Sequence, residues 1–318
     1  MLQEYFSIKG GSNVKNKNYM SMKSRFGFNF FDVFVYSFCF VFAVICFYPM
    51  WYVVIGSVSN SELFTLPKFN ILPDWPITFK YYAGVIFGGI FFNSLLLSIL
   101  KALFASVSSL ILSASMAYGV AKKKVAGMKF VNLYVLLTMF FGGGLIPTYL
   151  LVRSLHMIDT FWALTIPSLL GAFQFVILRN YFSYSVSTEL EDAALIDGAN
   201  EVLIFFRIIL PLSMPTISAL FLFQCVEQWN DWYSYLVYCN KPELQPVTWL
   251  LRRVLTDPAM AIKSDNKDMA SMIHQLGYLP PASLKMATIV LSMVPIMILY
   301  PFLQKNFAKG MLIGAVKG

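Results

Sequence analysis

Long apolar runs separated by short charged or turn-forming stretches dominate the pattern of this chain. A helix needs about 20 predominantly apolar residues to cross the hydrocarbon core of a bilayer. Runs of that kind lie at about 31–57, 90–119, 129–151, 161–182, 211–237 and 285–304. They predict an all-α integral membrane fold of about six spans in one membrane domain, 31–304. Residues 1–30 precede it, loops at 183–210 and 238–284 interrupt it, and a basic, glycine-bearing tail, 305–318, follows. An even number of spans leaves both ends on one side. Within 1–30, the stretch "SRFGFNFF" could lie along the interface before the first span.

Composition agrees with this pattern. The 318 residues are 58% hydrophobic and 13% charged, against roughly 45–50% and about 25% in soluble domains. The first run begins too late and runs too long for a signal peptide, so it reads as a retained helix. The net charge of +8 is distributed beside the spans, as topology charge is, and forms no basic domain that would bind nucleic acid. Lys9, Lys15, Lys17, Lys23 and Arg25 precede span one, and Lys122, Lys123, Lys124 and Lys129 join spans two and three. Arg179 and Arg207 flank the loop 183–210, and Lys305, Lys309 and Lys317 follow span six. By the positive-inside rule these map to the cytoplasm, with both termini there and 238–284 outside. That outer loop also carries Lys241, Arg252, Arg253, Lys263 and Lys267, but long loops count little in the rule.

The four cysteines and two histidines form no metal-ligand spacing, so no metal site is expected. In the outer loop, "PVTWLLRRVLTD" places Trp249, Leu250, Arg253 and Val254 at helical spacing. Such a helix would either pack on its own domain or dock a partner outside.

The stretch "ELEDAALIDGANEVLIFFRIILPLSMP", 189–215, carries the most specific local signals. Thr188 and Glu191 have capping-box spacing, and Glu189, Glu191 and Asp192 fall in a first turn, where negative charge suits the helix dipole. Gly198 ends this short helix, Asn200 can cap the next, and Pro211 and Pro215 mark the start of span five. Ala193 and Ala194 would let another surface approach the backbone.

Asp192, Ala193, Ala194, Gly198, Ile208, Leu210 and Pro211 resemble the EAA signature of membrane subunits of bacterial ABC importers, with Asp192 in place of its Glu. "MFFGGGLIPTYLL", 139–151, and "YPFLQKNFAKGMLIGAVKG", 300–318, are similar to the carbohydrate importers' MalG-like permeases and, within them, the LplC/YtcP type. This resemblance implies the type I importer permease arrangement in a bacterial cytoplasmic membrane. It also implies a cytoplasmic coupling helix that sits in a cleft of an ATPase, formed by Glu189, Glu191, Asp192, Ala193, Ala194, Asp197, Gly198 and Ala199. Its partners would be a homologous permease, an ATPase dimer, an extracytoplasmic solute-binding protein, membrane lipid and an oligosaccharide cargo. The chain itself would be no enzyme and hold no cofactor, since ATP and Mg would bind the ATPase. The tail 305–318 would be a second ATPase contact.

The sequence contains no GxxxxGK[ST] phosphate loop. Gly142 to Gly144 and Pro147 would permit close packing or a local break in span three. Span five carries "EQWNDWYSY", where Glu227 and Asp231 stand one turn apart with Trp229, Asn230 and Trp232 around them. These residues, with Asn93 and Gln174, could line a sugar path, or they could anchor the outer interface. Lys101 in span two finds no partner by sequence alone. Alternative readings are an ABC permease for a non-sugar solute, or an ion-coupled transporter using Glu227 and Asp231. A membrane-embedded enzyme lacks its catalytic cluster.

Overall fold

The computed structural model describes residues 30–59, 70–122, 125–184, 188–257 and 279–315, with side chains to 301 in the last segment. No strand occurs among the described residues. The chain divides into two units, Met1–Met50 and Trp51–Gly318.

Helix α1, Phe30–Val58, begins in the first unit. Phe31, Phe34, Phe38 and Phe42 are all exposed, and Phe34, Phe38 and Phe42 stack at i, i+4 spacing. A helix apolar all round has no polar face to give to water and suits a lipid surround.

In the second unit, α2 (Lys80–Phe87) leads through a glycine pair into α3 (Ile90–Ala121). The turn includes Gly89 at φ 76°, a conformation open to glycine. Helix α3 is the central element, packed against α7 (Ala172–Tyr184) and α11 (Met214–Asn230). Ser94, Ser98, Ser106, Ser109, Ser113, Ala102, Ala105, Ala114 and Ala117 on α3 are buried. Such small side chains let helix backbones approach closely without any hydrophobic drive from water.

Three helices are long and apolar enough to cross a membrane unbroken: Phe31–Val58, Ile90–Ala121 and Pro281–Pro301. The last belongs to α14, Pro281–Ala315. Its helical backbone runs on through 305–315, most of the segment read from the sequence as a tail after span six. The other predicted spans are broken. Span three is α4 (Met128–Phe140) and α5 (Leu145–Ser154), separated at the glycine run 142–144. Span four joins α6 (Phe161–Thr165) and a 3-10 turn, Ile166–Ser168, to α7 at a 46° bend.

Span five is entered through α9 (Glu201–Ile204), a π-helical stretch Phe205–Ile209 and α10 (Leu210–Leu212), which meets α11 at 80°. Pro211 and Pro215 each lack the N–H of a regular helix, and the wide π turn absorbs an extra residue beside them. Beyond α11, Asp231 is extended and the chain resumes as α12, Tyr233–Tyr238.

Three buried clusters hold the second unit together. One gathers Tyr81, Phe91, Ala102, Trp229, Leu250 and Leu284, and another gathers Leu110, Val135, Phe175, Leu178, Ile204 and Ile209. A third packs Val152, Ala163 and Leu164 against Tyr235 and Tyr238. Helix α13, Val247–Thr256, in the loop 238–284, buries Val247, Leu250 and Val254 in the first cluster, so it packs on its own domain.

Candidate functional site

The acidic loop forms α8, Thr188–Ile196, a turn, and then α9. The side chain of Thr188, the expected capping partner of Glu191, lies outside the described residues. The end of α8 is a Schellman turn. The Gly198 N–H donates to Leu195 O and the Ala199 N–H to Ala194 O, at 3.0 and 2.9 Å, with Gly198 at φ 82°. Asn200 then caps α9, its Oδ1 accepting the Leu203 N–H at 2.8 Å.

The loop is fastened to α3 through one cation. Lys122, the C-terminal cap of α3, pairs with Glu191 of α8 at 3.3 Å and with Glu201 of α9. Its ammonium also lies 4.7 Å from the Tyr118 ring centroid, and the Tyr118 hydroxyl donates to Glu201 at 3.2 Å. Glu191 therefore turns inward, while Glu189, Asp192, Ala193, Asp197 and Gly198 are exposed. Ala194 and Ala199 pack partly against the cluster around Ile204 and Phe205. The rod also presents Leu190, Leu195 and, at 87% exposure, Ile196.

A polar seam runs between α3, α7 and α11. Gln174 donates to Gln224 Oε1 and accepts from Ser109 Oγ, the latter at 2.9 Å. One turn on, Gln228 donates to Ser168 Oγ at 3.0 Å while its own Oε1 is buried without a protein partner. Further along, Lys101, 1% exposed, donates to both Asp231 Oδ2 at 2.5 Å and Asp231 O at 3.2 Å. The other carboxylate oxygen of Asp231 accepts the Ser234 N–H at 3.0 Å. One carboxylate thus neutralises the buried ammonium and starts α12, which accounts for the chain break after Asn230.

The other span-five residues separate. Trp229 is buried in the core, whereas Glu227 and Asn230 are exposed on α11. Trp232 stacks on Trp249 at 6.2 Å and receives the Arg252 guanidinium 3.9 Å from its ring centroid. Glu227 and Asp231 do not form the expected one-turn pair, because Asp231 has left the helix. Asn93 is exposed and lines a groove of about 590 Å³ with Leu96, Leu100, Glu243, Gln245 and Arg253. Gln245 Oε1 accepts from Arg253 Nη1 at 3.1 Å, and its buried Nε2 has no protein partner.

Residues 83–313 match the family described as "Binding-protein-dependent transport system inner membrane component". The chain belongs to this family. It is 37% identical over 298 residues to the "Polygalacturonan/rhamnogalacturonan transport system permease protein YtcP" of Bacillus subtilis (strain 168), covering 93% of this chain and 100% of that protein. "Protein LplC" of the same organism is 38% identical over 85% of this chain and 89% of its own length. Among solved structures, the fold matches a chain of a bacterial ABC transporter "involved in the import of the acidic polysaccharide alginate". The TM-score is 0.77 and the identity 28%, over 87% of this chain and 96% of that one.

The protein is therefore a multi-pass inner-membrane permease subunit of an ABC importer. Permeases of this family are not enzymes, and ATP is hydrolysed in a separate subunit. They work with a second permease, an ATPase and a solute-binding protein. The ion-coupled reading is set aside by this membership, and Asp231, which it needed as an ion site, is committed to Lys101. Sequence reading missed three contacts in the permease: Lys122 with both acidic helices, Asp231 with Lys101, and Gln224 with Gln174. A lysine inside an apolar span did demand a buried anion. The i, i+4 spacing of Gln224 and Gln228 marked a polar face on span five.

Proposed function

We propose that this permease carries oligosaccharides into the cytoplasm by alternating access. In this reading both termini are cytoplasmic and α8, with Gly198 and Ala199, is the helix that docks in the ATPase. The carrying observation is the rod itself: an exposed acidic helix, closed by Gly198 and tied by Lys122 to the central helix α3. A push on α8 reaches α3 through two ion pairs and the packing of Ala194 and Ala199, and α3 adjoins α7 and α11. The residues expected to meet the ATPase are Glu189, Asp192, Ala193, Asp197 and Gly198, with Glu191 positioning the rod. ATP and Mg would bind that partner, and the end of α14 is a second contact with it.

The proposed cargo rests on the relatives, whose names refer to polygalacturonan, rhamnogalacturonan and arabinooligosaccharides. Asn93, Glu227 and Asn230, exposed on α3 and α11, supply amide and carboxylate groups suited to sugar hydroxyls. Trp232 adds an aromatic ring, while Gln174, Trp229 and Asp231 shape the path from within the packed seam. The partner side of the path would come from the homologous permease, and the solute-binding protein would deliver from outside.

Cysteine cross-linking tests the docking. Ala193→Cys should form a disulfide-linked product with an ATPase subunit carrying cysteines in its cleft, and ATP should change its yield. Labelling of Ala193→Cys in intact cells by a membrane-impermeant maleimide would contradict the cytoplasmic placement.

A further inference from the structure

A second polar cavity lies at the same end of the bundle as the acidic loop. It encloses about 680 Å³ between the end of α3, the start of α4 and the end of α7, with Lys122, Lys129, Asn132, Arg179, Asn180 and Ser183 on its walls. Two helices hold the arginine in place: Arg179 donates from Nη1 to Asn132 Oδ1 at 2.6 Å and from Nη2 to Asn180 Oδ1 at 2.8 Å. Both partners are neutral amides, so they orient the guanidinium without neutralising it. A guanidinium has five N–H donors, and this arrangement leaves donors for an anion. Among the described residues no carboxylate pairs with Arg179 or Lys129, and Lys122 alone is committed to Glu191 and Glu201. The cavity is therefore a preformed cationic recess.

Its rim identifies the kind of anion. Phe130 and Tyr184 line the recess at 78% and 86% exposure, and the outward face of α4 continues with Leu133, Tyr134 and Leu137, all exposed. A soluble phosphate would use the cations alone. A lipid uses both parts, with its phosphate in the recess and its acyl chains along the apolar side of α4. Basic pockets between membrane helices at the cytoplasmic surface select anionic headgroups in this way, and aromatic side chains mark the headgroup level.

We infer that the recess whose free cations are Lys129 and Arg179 binds the phosphate headgroup of an anionic phospholipid, with the acyl chains lying along α4. Lys122, on the wall of the recess, holds α8 and α9, so the bound headgroup adjoins the loop proposed to meet the ATPase. The inference requires only that the helices span a membrane. It would survive a failure of the cargo reading.

Native mass spectrometry of the purified full-length chain tests it, with phosphatidylglycerol and phosphatidylcholine of matched acyl chains added in parallel. Wild type should retain one phosphatidylglycerol roughly tenfold more strongly than phosphatidylcholine, and the Arg179→Gln, Lys129→Gln double variant should hold the two lipids alike. If that variant does not fold, Lys129→Gln alone decides. It leaves the Arg179–Asn132 bond untouched and should reduce the preference by about fivefold. Equal retention of both lipids by wild type, or an unchanged preference in the folded variants, would overturn the inference. Displacement of the lipid by millimolar inorganic phosphate would assign the recess to a soluble phosphate and overturn the lipid assignment.

Discussion

A lysine at 1% exposure inside an apolar helix can stay charged only with its charge answered, and Asp231 answers Lys101 with both a carboxylate and a carbonyl oxygen. Asp231→Ala should cost about 3–5 kcal/mol by stranding the ammonium. The Lys101→Met, Asp231→Leu double change should recover much of that loss, measured as thermal unfolding in detergent. An unchanged unfolding temperature for Asp231→Ala would show that the pair does not hold the α11–α12 break. This pairing was hidden from the sequence because the two residues stand 130 positions apart. The "EQWNDWYSY" run also read as one continuous helix, and only the capture of Asp231 by Lys101 and Ser234 explains why it stops at Asn230.

At the scale of elements, the acidic loop was legible because each of its signals is local. Gly198 takes the left-handed turn and Asn200 the cap at the positions their chemistry suggests. The fastening of the loop was not legible, since Lys122 reaches it from the far end of another helix. A Cβ at Gly198 would meet no atom within 4 Å, so substitution there is penalised by backbone conformation alone. Gly198→Val should therefore strain the turn by roughly 1–2 kcal/mol and impair uptake more than Gly198→Asn, since Asn tolerates φ above zero. Both variants should insert normally. Uptake by Gly198→Val equal to wild type would mean that the turn is not held to this geometry. Removing the cap with Asn200→Ala should cost about 1 kcal/mol and lower uptake less, as read from transport by equal amounts of membrane-inserted protein.

For the whole molecule, hydropathy located the apolar segments but not their continuity. Bends at 46° and 80° and the break between α4 and α5 arise where prolines and glycines interrupt backbone hydrogen bonding, and packing decides how far each opens. The central proposal is a division of labour, with energy supplied by a partner and cargo passing through this bundle. It is tested most directly by purifying the tagged chain in mild detergent, identifying what comes with it, and assaying the eluate for ATP hydrolysis with and without saccharide-loaded binding protein. Recovery of a second permease and an ATPase, hydrolysis stimulated by the loaded binding protein, and loss of the ATPase with Gly198→Asp are the predicted results. A chain that elutes alone and transports in liposomes without ATP would contradict the account.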